Sequence, residues 1–330
     1  MRGEALSRQE AGRLLESFLN GDATDGQIAA ALIALKLKGE TVEELAGLAE
    51  AMRARALRIN SKHATFIDTA GTGSSCAKTF NVSTAAAFVI AGAGLPVAKH
   101  GNRAASSKCG SADVLGALGV NVSVAPGVSE RCLNEIGICF MFAPLYHAAT
   151  ARVAAIRREL GVQTTFNLLG PLTNPARAPR QLIGVSLRDR VEPMARALSL
   201  LATDRAWVVH GADGLDEITL AGKTFVAEAS GDALRTFEIT PEDFGVARNS
   251  LEGLAGETPD KNSAIIRDVL SGTRHDAARA LVLINAAAAL HVGGVAADLK
   301  EGERLAQDSI DSGRAMEKLS ELARMTNESG

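Results

Sequence analysis

The sequence predicts an α/β protein in which a small all-helical N-terminal domain is joined to a large α/β domain with a central, mostly parallel sheet. Helix-start signals recur up to about residue 60, whereas from about residue 64 short apolar segments alternate with Gly-rich loops and helical stretches. A chain of 330 residues can bury a core in one large domain and one smaller one. We therefore predict a small domain over residues 1–63 and a large domain over residues 64–330.

The N-terminal region carries three capping boxes, each followed by apolar residues at helical spacing. The boxes pair Ser7 with Glu10, Thr24 with Gln27, and Thr41 with Glu44. Gly39 stands where the second of these helices would end. Because three short helices bury little surface alone, we expect them to dock on the large domain.

The large domain shows strands, loops and helices in alternation, which is the pattern of a mostly parallel sheet. Strands are predicted at residues 65–68, 95–99, 120–124, 181–186, 206–210, 217–220 and 224–227. Helices are predicted at residues 85–93, 112–118, 147–160, 276–291 and 299–325.

Composition narrows the class of protein. Apolar residues make up 46% and charged residues 22%, the balance of a soluble globular protein. A formal net charge of −3 offers no general attraction for nucleic acid or for an anionic membrane. The N-terminus has no apolar signal segment, and no run of about 18 apolar residues suggests a membrane span, so we expect a cytoplasmic protein. The four cysteines lack zinc-site or C-x-x-C spacing and are predicted to be free thiols.

The first candidate site is the turn Gly71-Thr72-Gly73-Ser74-Ser75, between a predicted strand and a predicted helix. Glycines allow a ligand close to the backbone, and amides and hydroxyls can bind phosphate oxygens. The turn is not a Walker A loop, because no Gly-Lys-Ser/Thr follows, and it lacks the third glycine of a dinucleotide fingerprint. Alone, it is equally compatible with an ordinary tight turn.

The second candidate is the stretch from Lys99 to Arg103 with the Gly/Ser-rich loop 104–111, ahead of a helix that Ser111 or Asp113 could cap. The alternative is a solvated strand end followed by a surface loop. Ligands of open α/β sheets bind beside the carboxyl ends of strands, and a similar loop lies one strand away. We therefore predict two neighbouring anion sites, suited to a substrate with two phosphate groups.

Two further groups of residues are candidates for binding a metal or a substrate. Asp216 and Glu217 follow a predicted strand in a Gly-bearing loop and suit Mg²⁺, although an acidic turn is equally possible. If that loop is extended, neighbouring side chains point to opposite faces, which disfavours an acid–base pair. Arg157 could hold a substrate carboxylate, or it could belong to a solvated helix face. Four histidines are interpreted as structural rather than catalytic: His147, His210, His275 and His291.

Several motifs in one order resemble the anthranilate phosphoribosyltransferase family over essentially the whole chain. They are Gly71-Thr72-Gly73, Phe80-Asn81-Val82-Ser83-Thr84, Lys99-His100-Gly101-Asn102-Arg103, Ser106-Ser107 with Gly110-Ser111-Ala112-Asp113, Phe166-Asn167-Leu168-Leu169-Gly170-Pro171-Leu172-Thr173-Asn174-Pro175, and Asp216-Glu217. The resemblance implies a transferase of tryptophan biosynthesis. It would join anthranilate to the ribose of phosphoribosyl pyrophosphate (PRPP) with Mg²⁺ and release pyrophosphate. It also implies a homodimer, with the helical domain hinged to the α/β domain and completed by a segment near 145–165.

The resemblance assigns residues to three groups. Those expected to bind PRPP are Gly71, Thr72, Gly73, Ser74, Ser75, Thr79, Asn81, Ser83, Thr84, Lys99, Arg103, Ser106, Ser107, Gly110 and Ser111. Those expected to contact anthranilate are Gly71, His100, Asn102 and Arg157, with Arg157 on the carboxylate. Those expected to hold Mg²⁺ are Ser83, Asp216 and Glu217. No general acid or base is assigned, because an arylamine can attack before it loses its proton.

This chain departs from the usual family pattern at a few positions. Ser74 and Ser75 stand where the family has Gly-Asp, and the acceptor side differs at Thr150, Ala151, Ala155 and Gln163. The alternatives are a related pyrimidine nucleoside phosphorylase, a phosphoribosyltransferase for another aromatic acid, and a non-enzymatic nucleic-acid-binding relative. Arg157 and Asn102 favour an aromatic carboxylate, and the phosphorylase-type Lys-His-Ser-Thr-Gly-Gly loop is missing. The acidic pair and the net charge of −3 argue against the nucleic-acid binder.

Overall fold

The computed structural model describes residues 3–73, 79–104 and 108–328, which form seven strands and fourteen α-helices. The strands are β1 (Ile67–Gly71), β2 (Val97–Gly101), β3 (Ile138–Phe142), β4 (Arg180–Gly184), β5 (Arg205–Gly211), β6 (Thr224–Ser230) and β7 (Ala233–Ile239). The helices are α1 (Arg8–Asn20), α2 (Asp25–Lys38), α3 (Val42–Arg55), α4 (Val82–Gly92), α5 (Ser111–Ala117), α6 (Pro126–Ile136), α7 (Ala143–Tyr146), α8 (Ala151–Leu160), α9 (Phe166–Leu172), α10 (Val191–Leu200), α11 (Pro259–Leu270), α12 (Ala277–Val292), α13 (Leu299–Asp311) and α14 (Arg314–Asn327).

The strands form one sheet in the order β3-β2-β1-β4-β5-β6-β7. The first five strands run parallel, and β6 and β7 are antiparallel at one edge. The predicted mostly parallel sheet is therefore confirmed. Gly71, the last residue of β1, pairs with Gly184, the last residue of β4. The strand order changes direction between these two strands, which is where open α/β sheets bind ligands.

The sheet separates two hydrophobic cores. Side chains alternate along each strand, so Leu182 and Trp207 belong to the core beneath α4 and α12. Their neighbours Ile183 and Val208 belong to the other core, with α10 and the N-terminal helices. The N-terminal helices therefore dock on the large domain, as their short length requires.

The three capping boxes begin α1, α2 and α3 as predicted, and Gly39 caps the C-terminus of α2. Helix α8 packs against α1 and α2, and its Val153 and Ile156 enter the same core. The helical unit thus contains a segment from the middle of the chain. Gly47 in α3 lies against α1 so closely that an added Cβ would be 2.0 Å from the carbonyl oxygen of Arg8.

Several details of the predicted elements were wrong, and helices α6, α9, α10 and α11 were not predicted. Residues 120–124 alternate between buried and exposed side chains but form no strand, because Asn121 N donates to Thr326 Oγ1 (3.1 Å) instead of to a neighbouring strand. Residues 217–220 are irregular, with Ile218 N donating to Asn285 Oδ1 (3.0 Å). Strands β3 and β7 were missed. The single helix predicted over 299–325 is two helices, because Gly313 takes a left-handed conformation with φ 80°.

Among the described residues, no helix combines the length and the apolar character that crossing a membrane requires.

Candidate functional site

A cavity of about 650 Å³ opens at the carboxyl ends of the parallel strands. Its walls come from the ends of β1 and β2, from α7, α8 and α9, and from the loops before α4, α5 and α11. Every predicted site residue within the described ranges lines it: Gly71, Thr72, Gly73, Thr79, Asn81, Ser83, Thr84, Lys99, His100, Asn102, Arg103, Gly110, Ser111, Arg157, Asp216 and Glu217. The predicted residues Ser74, Ser75, Ser106 and Ser107 lie outside the described residues.

The first turn leaves β1 along the end of β4. Thr72 donates its backbone N–H to the carbonyl of Gly184 (2.9 Å), and its hydroxyl accepts from Ser186 N (3.2 Å). Gly73 has φ +67°, a conformation that favours glycine. These contacts fix the start of the predicted phosphate-binding turn at the sheet edge.

Lys99 is buried at the floor of the cavity and connects three elements. Its ammonium donates to the Thr69 carbonyl in β1 and to Ser83 Oγ (3.3 Å) in α4. Burial lowers the pKa of Lys99, whereas the nearby charges of Asp68 and Glu217 favour the ammonium. Burial also raises the pKa of Asp68 to about 6, although Lys99 and hydrogen bonds from Asn174 and His100 N oppose this rise.

The acidic pair also belongs to this charge cluster. Glu217 accepts from Ser83 N (3.3 Å), and burial together with the charge of Asp216 raises the pKa of Glu217, whereas the Lys99 ammonium opposes this rise. No group of three or more His, Cys, Asp or Glu residues suited to a metal occurs in the part of the chain that the structure describes. Mg²⁺, however, usually takes one or two carboxylates and completes its shell with water and substrate phosphates. Two carboxylates beside the Ser83 hydroxyl fit that requirement.

The loop that carries the acidic pair lies directly on β4. A Cβ added to Gly184 would be 1.6 Å from the carbonyl oxygen of Asp216, and one added to Gly71 would be 3.2 Å from its Oδ2. Because this segment is irregular, the argument that Asp216 and Glu217 must point to opposite faces of a strand does not apply, and both residues line the cavity. Glycine in β4 is what allows the loop this close.

Both ends of the second loop are held by Asp113. Its Oδ2 accepts from the backbone N–H of Ala104 (3.0 Å) and of Gly110 (2.9 Å), and its Oδ1 accepts from Arg103 (3.1 Å). Helix α5 begins at Ser111, and its N-cap is Gly110 rather than Ser111 or Asp113 as predicted, while Asp113 in the first turn accepts from the Gly110 N–H. A Cβ at Gly110 would be 2.4 Å from Ala104 N, so the two loop ends meet in van der Waals contact.

Arg157 lies on the far wall, where neutral groups hold its guanidinium. Nε donates to Thr164 Oγ1 (3.0 Å), Nη2 donates to Asn167 Oδ1 (3.0 Å), and the guanidinium stacks 5.3 Å from the ring centre of Phe166. Among the described residues no carboxylate forms an ion pair with Arg157. Its charge is therefore available to an anionic ligand.

His100 and His147 lie together on the cavity wall, with ring centroids 5.2 Å apart. His100 Nδ1 contacts the Gly170 carbonyl (3.2 Å), and both Nε2 atoms are buried without a hydrogen-bond partner within the described residues. Burial lowers the pKa of His100 to about 3 and that of His147 to about 4. Both rings are thus neutral near pH 7. His147 was interpreted as structural, yet it lines the cavity, whereas His210 and His291 lie elsewhere.

One wall of the cavity was missed from the sequence. It consists of Ala255, Gly256, Glu257 and Asn262, from the loop before α11 and its first turn. The available signal was weak: a Gly-bearing loop, and an Asn inside a helix, where Asn is a poor helix former.

The comparisons with known proteins agree with this geometry. The pattern of the glycosyl transferase family a/b domain matches residues 63–316, and that of the family's helical bundle domain matches residues 1–56. The anthranilate phosphoribosyltransferase of Moorella thermoacetica is 52% identical over 317 residues, covering 96% of this chain and 93% of that protein. The one from Desulfosudis oleivorans is also 52% identical, covering 98% and 96%.

This chain belongs to the anthranilate phosphoribosyltransferase family. Among solved members, the enzyme from Thermus thermophilus superposes with a TM-score of 0.93 at 40% identity, covering 98% of this chain and 97% of that one. The family member from Saccharomyces cerevisiae, in complex with PRPP and Mg, has a TM-score of 0.89 at 28% identity, covering 98% and 94%.

The low pKa values of the two histidines predict acid sensitivity. The unfolded chain takes up protons near the ordinary pKa of His, about 6.5, whereas the two buried histidines do not until about pH 4 or 3, so their contribution to stability falls as the pH falls below 6.5. The raised pKa values of the buried carboxyl groups of Asp68 and Glu217 act in the opposite direction, so the histidine contribution is measured as a difference between variants. When the pH falls from 7.5 to 5.5, each histidine should lower the free energy of unfolding by about 1.4 kcal/mol. We expect His100→Asn, whose amide can still reach the Gly170 carbonyl, to remove one such contribution in urea unfolding at the two pH values.

The control for this measurement is His275→Asn at an exposed position, which should leave the pH dependence of unfolding unchanged. If His100→Asn and the unsubstituted protein lost equal stability between pH 7.5 and 5.5, the histidine would not be held neutral by burial.

Proposed function

We propose that this protein transfers the phosphoribosyl group of PRPP to anthranilate, giving N-(5-phosphoribosyl)anthranilate and pyrophosphate, in tryptophan biosynthesis. The observation that carries this proposal is the composition of one cavity: two polar loops, a buried lysine and an acidic pair at one end, and at the other a guanidinium that forms no ion pair among the described residues. A site with these ends suits a polyphosphate donor and a carboxylate acceptor. The relatives that cover nearly the whole chain carry this activity in their names.

The donor end is proposed to hold the diphosphate of PRPP. The turn at 71–73, with Ser83 and Thr84 at the start of α4, presents amides and hydroxyls, and Lys99 supplies a fixed positive charge. Asp216, Glu217 and Ser83 are the proposed Mg²⁺ ligands, supported by their donor chemistry and by the Mg present with PRPP in the yeast relative. When bound, Mg²⁺ would neutralise negative charge on the departing pyrophosphate.

The acceptor end is proposed to orient anthranilate. Arg157 would pair with its carboxylate, and Asn102 and His100 would contact the ring substituents from the end of β2. The yeast relative has been solved in complex with 4-fluoroanthranilate. The neutral histidines leave Arg157 as the cation of this wall. This arrangement would aim the amine at the ribose.

The reaction then follows from positioning and charge stabilisation. The bond between ribose C1 and the pyrophosphate oxygen breaks while the amine nitrogen forms its bond to C1, and the nitrogen loses its proton afterwards. Lys99 and the amides of the two loops would stabilise the leaving oxygens. No side chain is needed as a general base before attack, because the neutral arylamine has a free lone pair.

The organisation of the chain is also part of the proposal. Contacts of α8 with α1 and α2 support a helical domain of residues 1–63 completed from 145–165, hinged to a large domain of residues 64–330. A homodimer and a cytoplasmic location are proposed on the family resemblance alone.

The direct test is turnover of purified protein. Anthranilate fluorescence should fall when PRPP and Mg²⁺ are present together, pyrophosphate should appear in equal amount, and EDTA should stop the reaction until Mg²⁺ is restored. Folded protein that consumes PRPP only with a different aromatic acid would support the neighbouring transferase activity. Folded protein with no turnover of any acceptor would contradict the proposal.

A single substitution should affect the KM for one substrate and leave the KM for the other nearly unchanged. Arg157→Ala removes a charge-assisted contact with the acceptor carboxylate, so the KM for anthranilate should rise about 10- to 100-fold while the KM for PRPP changes by less than about twofold. Initial rates with each substrate varied in turn measure both constants. Arg158→Ala, at the exposed neighbouring position, is the matched control. Equal increases in the two KM values would show that Arg157 only supports the fold.

A further inference from the structure

The amide of Asn81 is fixed at both of its ends. Its Nδ2 donates to the backbone carbonyl of Cys109 (3.2 Å), at the end of the second loop. Its Oδ1 accepts from Nδ2 of Asn262 (3.0 Å), in the first turn of α11. An Asn amide carries two N–H donors, and among the described residues only one N–H of Asn81 has a partner, so the other can donate to a ligand in the cavity that this residue lines.

The orientation of Asn262 is dictated by the backbone. Its Oδ1 accepts from the N–H of Glu257 (2.9 Å), and a backbone N–H can only donate. The NH₂ group of Asn262 must therefore face Asn81. Asn262 is only 2% exposed, so water does not compete for these contacts.

The segment before Asn262 packs against the residues that precede Asn81. Phe80 N donates to the Leu254 carbonyl (2.9 Å), immediately before Asn81. A Cβ added to Gly256 would be 2.4 Å from the Thr79 carbonyl oxygen, so residues 254–257 rest directly on the chain that enters α4. The position of Asn262 relative to Asn81 is therefore set by close backbone contact.

The direction of each hydrogen bond is thus fixed along a chain from the Glu257 N–H through Asn262 to Asn81. The Glu257 N–H fixes Asn262, Asn262 donates to the oxygen of Asn81, and the Cys109 carbonyl accepts from its NH₂ group. Without Asn262 only the Cys109 carbonyl would hold this orientation, and an amide rotated by 180° would present its oxygen, which repels phosphate.

We propose that Asn262 is a positioning residue for PRPP: it orients Asn81 so that its amide donates to a phosphate oxygen of the substrate. The proposal rests on the proposed function, because it takes PRPP as the anion that Asn81 meets. Asn262 also lines the cavity, and the role that we assign to it is to hold Asn81.

The test is Asn262→Asp. A carboxylate at this position still accepts from Glu257 N but cannot donate to Asn81, and Asn81 is then expected to turn its NH₂ towards the new acceptor. The KM for PRPP and the calorimetric Kd for PRPP with Mg²⁺ should rise about tenfold or more, with kcat and the KM for anthranilate within about twofold. Ser263→Ala, which removes a hydrogen bond to the Asp260 carbonyl in the same helical turn, is the matched control and should leave all of these constants unchanged.

A double-mutant cycle separates positioning from mere support of the fold. Asn81→Ala, Asn262→Ala and the double variant should give effects on PRPP binding that do not add, because Asn262 acts through Asn81. If Asn262→Asp does not fold, this alanine cycle carries the test. Additive effects, an unchanged Kd for PRPP, or a parallel loss of kcat and both KM values would overturn the proposal. Failure of the unsubstituted protein to bind PRPP would instead overturn the proposed function.

Discussion

The site depends on burying one lysine at the edge of a parallel sheet. The ammonium of Lys99 contacts a β1 carbonyl and the first turn of α4, with the carboxylates of Asp68 and Glu217 nearby. Burying a charge is costly unless other charges and hydrogen bonds compensate it, so these groups must keep their relative positions. Lys99 therefore links β1, β2, α4 and the acidic loop into one charged unit. The described parts of the two candidate loops and the acidic pair line the same cavity.

Close backbone contacts hold the loops around this charge. Gly184 lets the acidic loop lie on β4, and Gly110 lets the two ends of the second loop meet under the carboxylate of Asp113. At the other end of the cavity, Arg157 is held by a hydroxyl, an amide and an aromatic face. The two ends thus differ in kind: carboxylates surround the donor-side lysine, whereas neutral groups surround the acceptor-side arginine. This difference can separate a metal-bound diphosphate from a carboxylate acceptor.

Much of this arrangement could be read from the sequence because it depends on local signals. Capping boxes fix where α1, α2 and α3 begin, and strand ends followed by Gly/Ser loops indicate the cavity edge. Strand pairing was harder to predict: residues 120–124 have the alternation of a strand, but Thr326, distant in sequence, takes the backbone N–H of Asn121. The wall formed by residues 255–257 and Asn262 could not be predicted either. Its hydrogen bond to Asn81 spans 181 residues of the chain.

The central claim is that Lys99 and the acidic pair form one unit that receives the diphosphate of PRPP and its metal. A crystal structure of this protein with PRPP and Mg²⁺ tests it most directly. The account predicts diphosphate oxygens between the 71–73 turn and the start of α5, within reach of the Lys99 ammonium, with Mg²⁺ on Asp216 or Glu217. A diphosphate bound away from Lys99, or a metal bound away from both carboxylates, would contradict it.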